Sequence, residues 1–349
     1  MKAMSGNPFA QQRALATGRA LAELDRGVVT ITGPDRLSWL DSMTSQSIAG
    51  LRPGESAETL VLDPHGHVEH ALRVVDDGET AWLLVAAEDA AALAAWLDRM
   101  RFLLRVEVAD RSAAFLAVGF LRGGFAGEAA LRELATAVWD DPWDAVRPGG
   151  WQYAEGSHPG AGWSWSEALV ARERAAELDA AAPAGGRVPE SAATALRIAA
   201  WRPDWSTEVD DRTIPHELDW LRSAVHLDKG CYRGQETVAK VHNLGHPPRR
   251  LVALHLDGSD SVYAAHGDPV LLGADEASAP IGVVTSAAVH YELGPIALAV
   301  VKRSADPAAP LAVEHEGVRI AAAQEVIVPP SAGATAEVPR IPRLGAVRR

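Results

Sequence analysis

Residues 228–240 read DKGCYRGQETVAK and hold Cys231, the single cysteine of a 349-residue chain. A thiolate is a nucleophile and a soft ligand, and Lys229 or Arg233, if close in space, would favour it over the thiol. Gly230 and Gly234 bracket Cys-Tyr-Arg and let the backbone turn sharply and approach a ligand closely. Gln235 and Glu236 offer a planar amide and a carboxylate, which suit the paired donors and acceptors of a heterocyclic ring. The ordinary fate of a free cysteine is burial as a small hydrophobe. The glycine frame and flanking charges point instead to Cys231 as a working thiol.

Other chemistries fit the same stretch poorly. An iron–sulfur cluster needs about four ligands, mostly thiolates, and one cysteine cannot supply them. His216, His226, His242 and His246 surround the motif without a metal-ligand spacing such as HxxxH, so they read as hydrogen-bonding or surface groups and no metal site is expected. The glycines match neither a P-loop nor a dinucleotide fingerprint. Trp139, Trp143, Trp151, Trp163 and Trp165 fall close together. The 33 basic and 46 acidic residues give a formal net charge of −13, which disfavours phosphate binding. These indoles therefore read as core or as the wall of a ligand site, with no direct nucleic-acid contact expected. A lone cysteine, no signal-peptide pattern and no uninterrupted apolar span make a cytoplasmic protein without membrane contact the expectation.

The elements that must position these residues follow from periodicity. RGVVTIT starts a strand, GPD a turn, and Asp35 is placed to cap a helix burying Leu37, Leu40 and Met43. AETLVLD, VEHALRVV and TAWLLVA, separated by PHGH and DDGE turns, read as antiparallel hairpins. Residues 88–104 form a helix with Leu93, Trp96, Leu97, Met100 and Leu104 on one face, and residues 113–120 a buried strand. SEALVARERAAELDAA (166–181) and SAATALRIAAW (191–201) read as helices. From residue 246 to about 328 the chain is a series of short strands, as in a closed or sandwiched β domain. The pattern is α+β up to about residue 245, then all-β.

The string KGCYRGQE (229–236) resembles the signature of the YgfZ-type folate-binding proteins, whose eukaryotic relatives act in iron–sulfur protein maturation. VTITGPDRLSWLDSMTSQSIAGLRPGE, ALRIAAWRP, TIPHELDWL and PPRRLVALHLDG are similar to segments of the parent superfamily of glycine-cleavage T-proteins, the aminomethyltransferases. The resemblance implies an α+β fold of three domains around a central channel, two mixed α/β modules and a C-terminal β barrel. It divides the chain into 1–50 with 112–245, which carries the motif, 51–111, 246–330, and a disordered tail over 331–349. It implies tetrahydrofolate or a one-carbon derivative as cofactor, held by Arg197, Glu217, Lys229, Tyr232, Arg233, Gln235 and Glu236, with Cys231 as the reactive group. Iron–sulfur assembly proteins or client enzymes, including tRNA-modifying ones, are the implied partners. The alternative is a folate-dependent aminomethyltransferase or N-demethylase. Two departures matter. The superfamily's pterin-contacting glutamate is Ala199, and losing such an acceptor costs ~1–3 kcal/mol; Glu208, Asp210 or Glu217 are the possible replacements. Its catalytic Asp pair is replaced by Glu69 and His70, which would have to supply any acid–base chemistry.

Overall fold

The computed structural model describes residues 6–273 and 279–336. The chain begins with α1 (Pro8–Ala16), β1 (Leu21–Leu24), β2 (Arg26–Thr32), α2 (Arg36–Met43), β3 (Ser56–Leu62), β4 (Val68–Asp76) and β5 (Thr80–Ala86). It continues with α3 (Ala90–Met100), β6 (Glu107–Asp110), β7 (Phe115–Leu121), α4 (Glu128–Leu134), β8 (Ala137–Asp140) and β9 (Trp165–Ala171). Then come α5 (Ala175–Ala181), β10 (Arg187–Val188), α6 (Glu190–Ala199), α7 (Trp205–Glu208) and α8 (Gln235–Leu244). The last strands are β11 (Arg249–Leu256), β12 (Pro269–Leu272), β13 (Gly282–His290), β14 (Gly294–Lys302), β15 (Leu311–His315) and β16 (Val318–Val326).

These strands build two five-stranded sheets, β3-β4-β5-β2-β6 and β10-β1-β7-β9-β8, and a closed barrel β11-β14-β13-β12-β15-β16. The mixed α/β architecture with a C-terminal barrel is the one expected. The hairpins β3-β4-β5 form as their alternation and turns required, antiparallel throughout. α3 lays Leu93 and Leu97 on a core with Val29, Ile31, Val74, Leu83 and Val85. It stops at Met100, leaving Phe102 and Leu103 exposed.

Four local expectations are corrected. β2 pairs with β5 along all seven of its residues and with β6, so it belongs to the sheet of residues 51–111 rather than to the motif module. Alternation marks a strand's faces but not its distant partner. SEALVA is strand rather than helix: β9 lies between β7 and β8 and is buried at every position except its last. A short run buried on both faces has no period by which to tell it from a helix, and the helix starts only at Ala175. Asp35 makes no side-chain cap to α2; its carboxylate takes the guanidinium of Arg105, 2.6 Å away. Residues 331–336 of the expected tail dock on the end of α8, with Thr335 N–H donating to His242 O and Ala336 N–H to Asn243 O. The rest of that tail lies outside the described residues. Among the described residues no helix is long and apolar enough to cross a membrane.

Candidate functional site

The motif loop leads into α8 through Gly234, whose φ of +82° is a left-handed conformation that glycine adopts without strain. A Cβ there would stand 2.7 Å from Asp63 O and 3.0 Å from Leu62 Cβ, so the loop presses directly on the β3–β4 turn. Cys231 is exposed on this loop. Neither neighbouring cation is free to serve it. Lys229 Nζ donates to Asp41 O, Thr44 O and Gln46 O at 2.6–2.9 Å and lies 3.3 Å from the Asp41 carboxylate. Burial lowers the pKa of that ammonium, and Asp41 partly offsets it. Arg233 reaches the other way, to Glu69 Oε2 at 2.6 Å. Gln235 braces the loop by donating to Lys229 O, and Glu236 is exposed in the first turn of α8. Tyr232 is buried with its hydroxyl unpartnered, and burial pushes its phenol pKa up. It faces a cleft of about 430 Å³ with Gln235, Trp151 and His242.

A second region is built from elements far apart in sequence. β2 contributes Arg26, β4 Arg73, β9 Glu167 and α6 Arg197, and the chain after α6 contributes Arg202 and Asp204. These side chains line a cavity of about 390 Å³ between the two sheets and α6. Trp163 and Trp165 form its aromatic wall, stacked with ring centroids 5.2 Å apart and planes 16° from parallel. Gly119 on the adjacent strand makes room for Trp165, since a Cβ there would lie 2.0 Å from the indole.

The charges in this cavity are arranged in opposed pairs. Arg26 grips Glu167 with two bonds of 2.9 and 3.0 Å, and Arg73 donates to Asp204 Oδ2 at 3.0 Å. Arg202 donates to Glu58 at 2.6 Å and to Asp141 at 3.0 Å. Burial pushes Glu167 up, but the guanidiniums of Arg26 and Arg73 override it and hold the carboxyl at about 2. Burial is likewise overcome at Asp204 by Arg73, Arg26 and Arg197, which keep it well below the usual carboxylate range. Two buried donors remain without a hydrogen-bond partner, Arg73 Nε and Arg202 Nη1. Arg73 Nε has only an ion-pair distance of 3.5 Å to Glu167.

Of the expected folate-binding residues, Arg197 alone lines this cavity, bonded to Glu208, Ser286 and Arg202 O. Glu217 is fully buried and receives Arg249 at 2.7 and 3.0 Å, a lock between the barrel and the preceding segment. Asp210 takes the same arginine at 2.6 Å, and Glu208 is held by Arg197 and Ser286. The three candidates to replace the missing acceptor at Ala199 are therefore all engaged. Glu167 and Asp204 line the cavity itself, although Arg26 and Arg73 already pair with them, and neither is visible in a motif. The available signal is a glutamate inside the apolar run WSWSEALVA, where a charge is costly unless paired. Arg26, Arg73 and Arg202 were missed for a different reason: nothing local marks an arginine whose partners lie far along the chain.

Glu69 and His70 do not line this cavity; they line a separate cleft with Trp96 and Trp205. Glu69 is paired with Arg233, and His70 Nδ1–H donates to the Asp89 carboxylate at 2.7 Å.

Comparison with known proteins agrees with this architecture. Residues 249–330 match the glycine cleavage T-protein C-terminal barrel domain. The chain is 28% identical over 316 residues to an aminomethyltransferase of Nostoc sp. (strain PCC 7120 / SAG 25.82 / UTEX 2576), covering 83% of this chain and 79% of that protein. It is 28% identical over 298 residues to an aminomethyltransferase of Synechococcus sp. (strain RCC307), covering 79% and 77%. The crystal structure of glycine cleavage system aminomethyltransferase T from Bartonella henselae shares the fold, with a TM-score of 0.70 at 17% identity over 90% of this chain and 87% of that one. The chain is thus similar to glycine-cleavage T-proteins in its barrel and, at 28% identity, to aminomethyltransferases along most of its length.

Proposed function

We propose that the protein binds a reduced folate, tetrahydrofolate or a one-carbon derivative, in the cavity between the two sheets. On this reading it is a folate-dependent one-carbon transferase of aminomethyltransferase or N-demethylase type. The observation that carries the reading is the pair of orphan donors, Arg73 Nε and Arg202 Nη1, beside a stacked indole wall and two buried carboxylates. A buried unpaired N–H costs ~1–3 kcal/mol, which a ligand acceptor would recover. The cavity's volume lies within the ~300–1,000 Å³ usual for small-molecule sites. Trp163 and Trp165 would pack on the pterin and exclude water. Glu167 and Asp204 would accept from its N–H edge, and the two guanidiniums would donate to its carbonyl or carboxylate oxygens. The folate, when bound, supplies the nitrogens that carry the one-carbon unit. Titration calorimetry with tetrahydrofolate tests this, with Arg73→Met expected to weaken binding about tenfold. Incubation with tetrahydrofolate and an aminomethyl donor, whose carbon is already at the oxidation level of formaldehyde, should yield a 5,10-methylene product and release the donor's nitrogen as ammonia. Absence of both heat and thermal shift at micromolar protein overturns the reading.

A second reading is favoured by one observation, the exposed Cys231 on a glycine-framed KGCYRGQE loop. Here the protein is a cytoplasmic YgfZ-type accessory factor for assembly or repair of iron–sulfur proteins, tRNA-modifying enzymes among them. Glu69 and His70 in place of an Asp pair fit such a role. Cys231→Ala should then abolish complementation in cells while leaving the fold intact; full complementation removes this reading.

A further inference from the structure

The cavity proposed above for folate is rich in arginine and yet holds no spare positive charge. Six carboxylates and four guanidiniums line it. Each guanidinium is already met: Arg26 by Glu167, Arg73 by Asp204, Arg197 by Glu208, and Arg202 by Glu58 and Asp141. Glu58 and Glu208 are buried and lie outside the lining, so the surroundings add negative charge rather than remove it. Burial pushes Glu167 and Asp204 up, but the arginines hold both far below neutrality, so both stay ionised. What remains open is hydrogen-bonding capacity, at the buried donors Arg73 Nε and Arg202 Nη1. A donor whose charge is already neutralised suits an uncharged acceptor such as a ring carbonyl. A carboxylate there would add an anion to a site that is anionic before it arrives, and a buried charge is costly unless it is paired.

The solvent-facing part of the lining is acidic too. Asp25 comes from the turn between β1 and β2, Glu88 from the segment between β5 and α3, and Glu190 from the start of α6. Asp25 and Glu88 are exposed, and neither carboxylate has a partner among the described residues. Glu190 is partly exposed and accepts from Arg26 at 3.0 Å and from the Asp25 N–H at 3.1 Å. Among the described residues no lysine and no unpaired arginine lines the cavity. Its other polar side chains, Ser191, Thr194, Ser206 and Thr207, are neutral. A string of carboxylates leaving this mouth would pass three like charges and meet no free cation. Exposed charges of one sign repel over a screening length of about 10 Å at 0.1 M salt.

We propose that the cavity selects reduced folates by the length of their tail: it takes the uncharged ring of forms with one glutamate or none, and Asp25, Glu88 and Glu190 disfavour forms that carry a string of γ-linked glutamates. This selectivity rests on the folate reading and narrows it. Asp25 and Glu88 are the residues on which to test it, because neither carboxylate holds another part of the chain. Glu190 anchors Arg26 and stays intact in the test.

The test is titration calorimetry of the full chain with three probes: 6-methyltetrahydropterin, which has no tail, tetrahydrofolate, which has one glutamate, and the pentaglutamate of tetrahydrofolate. At low ionic strength the pentaglutamate should bind about tenfold more weakly than tetrahydrofolate. Raising the salt from ~20 mM to ~0.3 M should close most of that gap, because screening weakens repulsion between exposed charges, and should not move 6-methyltetrahydropterin. Asp25→Asn combined with Glu88→Gln should narrow the same gap at low salt. The selectivity is refuted if the pentaglutamate binds wild type as tightly as tetrahydrofolate at low salt, if added salt widens the gap, or if the double variant leaves it unchanged. In each of those cases tetrahydrofolate still binds and the folate reading stands. Failure of all three probes to bind wild type overturns the folate reading, and the selectivity with it.

Discussion

Glu167 shows how much one paired charge in this fold can decide. It is almost fully buried, and Arg26 holds it with two hydrogen bonds while Arg73 adds a second positive charge. Removing one partner of a buried ion pair costs about 3–5 kcal/mol, because the remaining charge stays desolvated. Glu167→Gln should therefore lower unfolding stability in urea by about that amount at neutral pH. The pH dependence follows from the depressed carboxyl, held at about 2 in the folded chain against an ordinary 4.5. An unfolded chain binds the proton first, so the stabilisation is complete above the ordinary value and is lost as pH falls through the folded one. The gap between wild type and Glu167→Gln should narrow across that window. A gap that stays constant down to acid would mean that the pair contributes nothing electrostatic.

At the scale of elements, the motif loop and the β3–β4 turn form one unit. Gly234 needs both a left-handed φ and the absence of a Cβ, and Gly66 across the contact has Thr237 at 2.9 Å from its own missing Cβ. Gly234→Ala must either strain the backbone or separate the two turns, at a cost of about 1–3 kcal/mol. It should lower the melting temperature and increase amide exchange in both 63–67 and 228–234, since the contact is shared. Exchange confined to the motif loop would show that the turns are independent. Lys229 and Arg233 also hold the loop in place: one reaches back to the end of α2 and the segment after it, and the other to the bulge of β4.

For the whole molecule, Arg249 ties the barrel to the body. Its guanidinium bonds both Glu217, which has no solvent contact, and Asp210. Arg249→Met would leave Glu217 buried and uncompensated, a loss of about 3–5 kcal/mol. Scanning calorimetry of this variant should show the barrel separating from the remaining cooperative transition. A single transition at the wild-type temperature would show that the interface rests on apolar packing alone.

Much of this organisation was legible in the chain itself. The hairpins β3-β4-β5, the helices α3 and α6 and the strand-rich C-terminal part follow from period, turn chemistry and length, which are local properties. KGCYRGQE marked an exposed thiol on a glycine-framed loop for the same reason, since glycine placement speaks directly about backbone geometry. Local signals could not say that β2 joins the sheet of residues 51–111, that SEALVA is a central strand, or that Lys229 and Arg233 turn away from the thiol. Nor could they assemble Arg26, Arg73, Glu167 and Asp204, which span 179 positions, or give Asp89 to His70 in place of a helix cap. Those outcomes depend on which buried charges meet across elements, and a desolvated charge finds its partner only when the chain has folded around both.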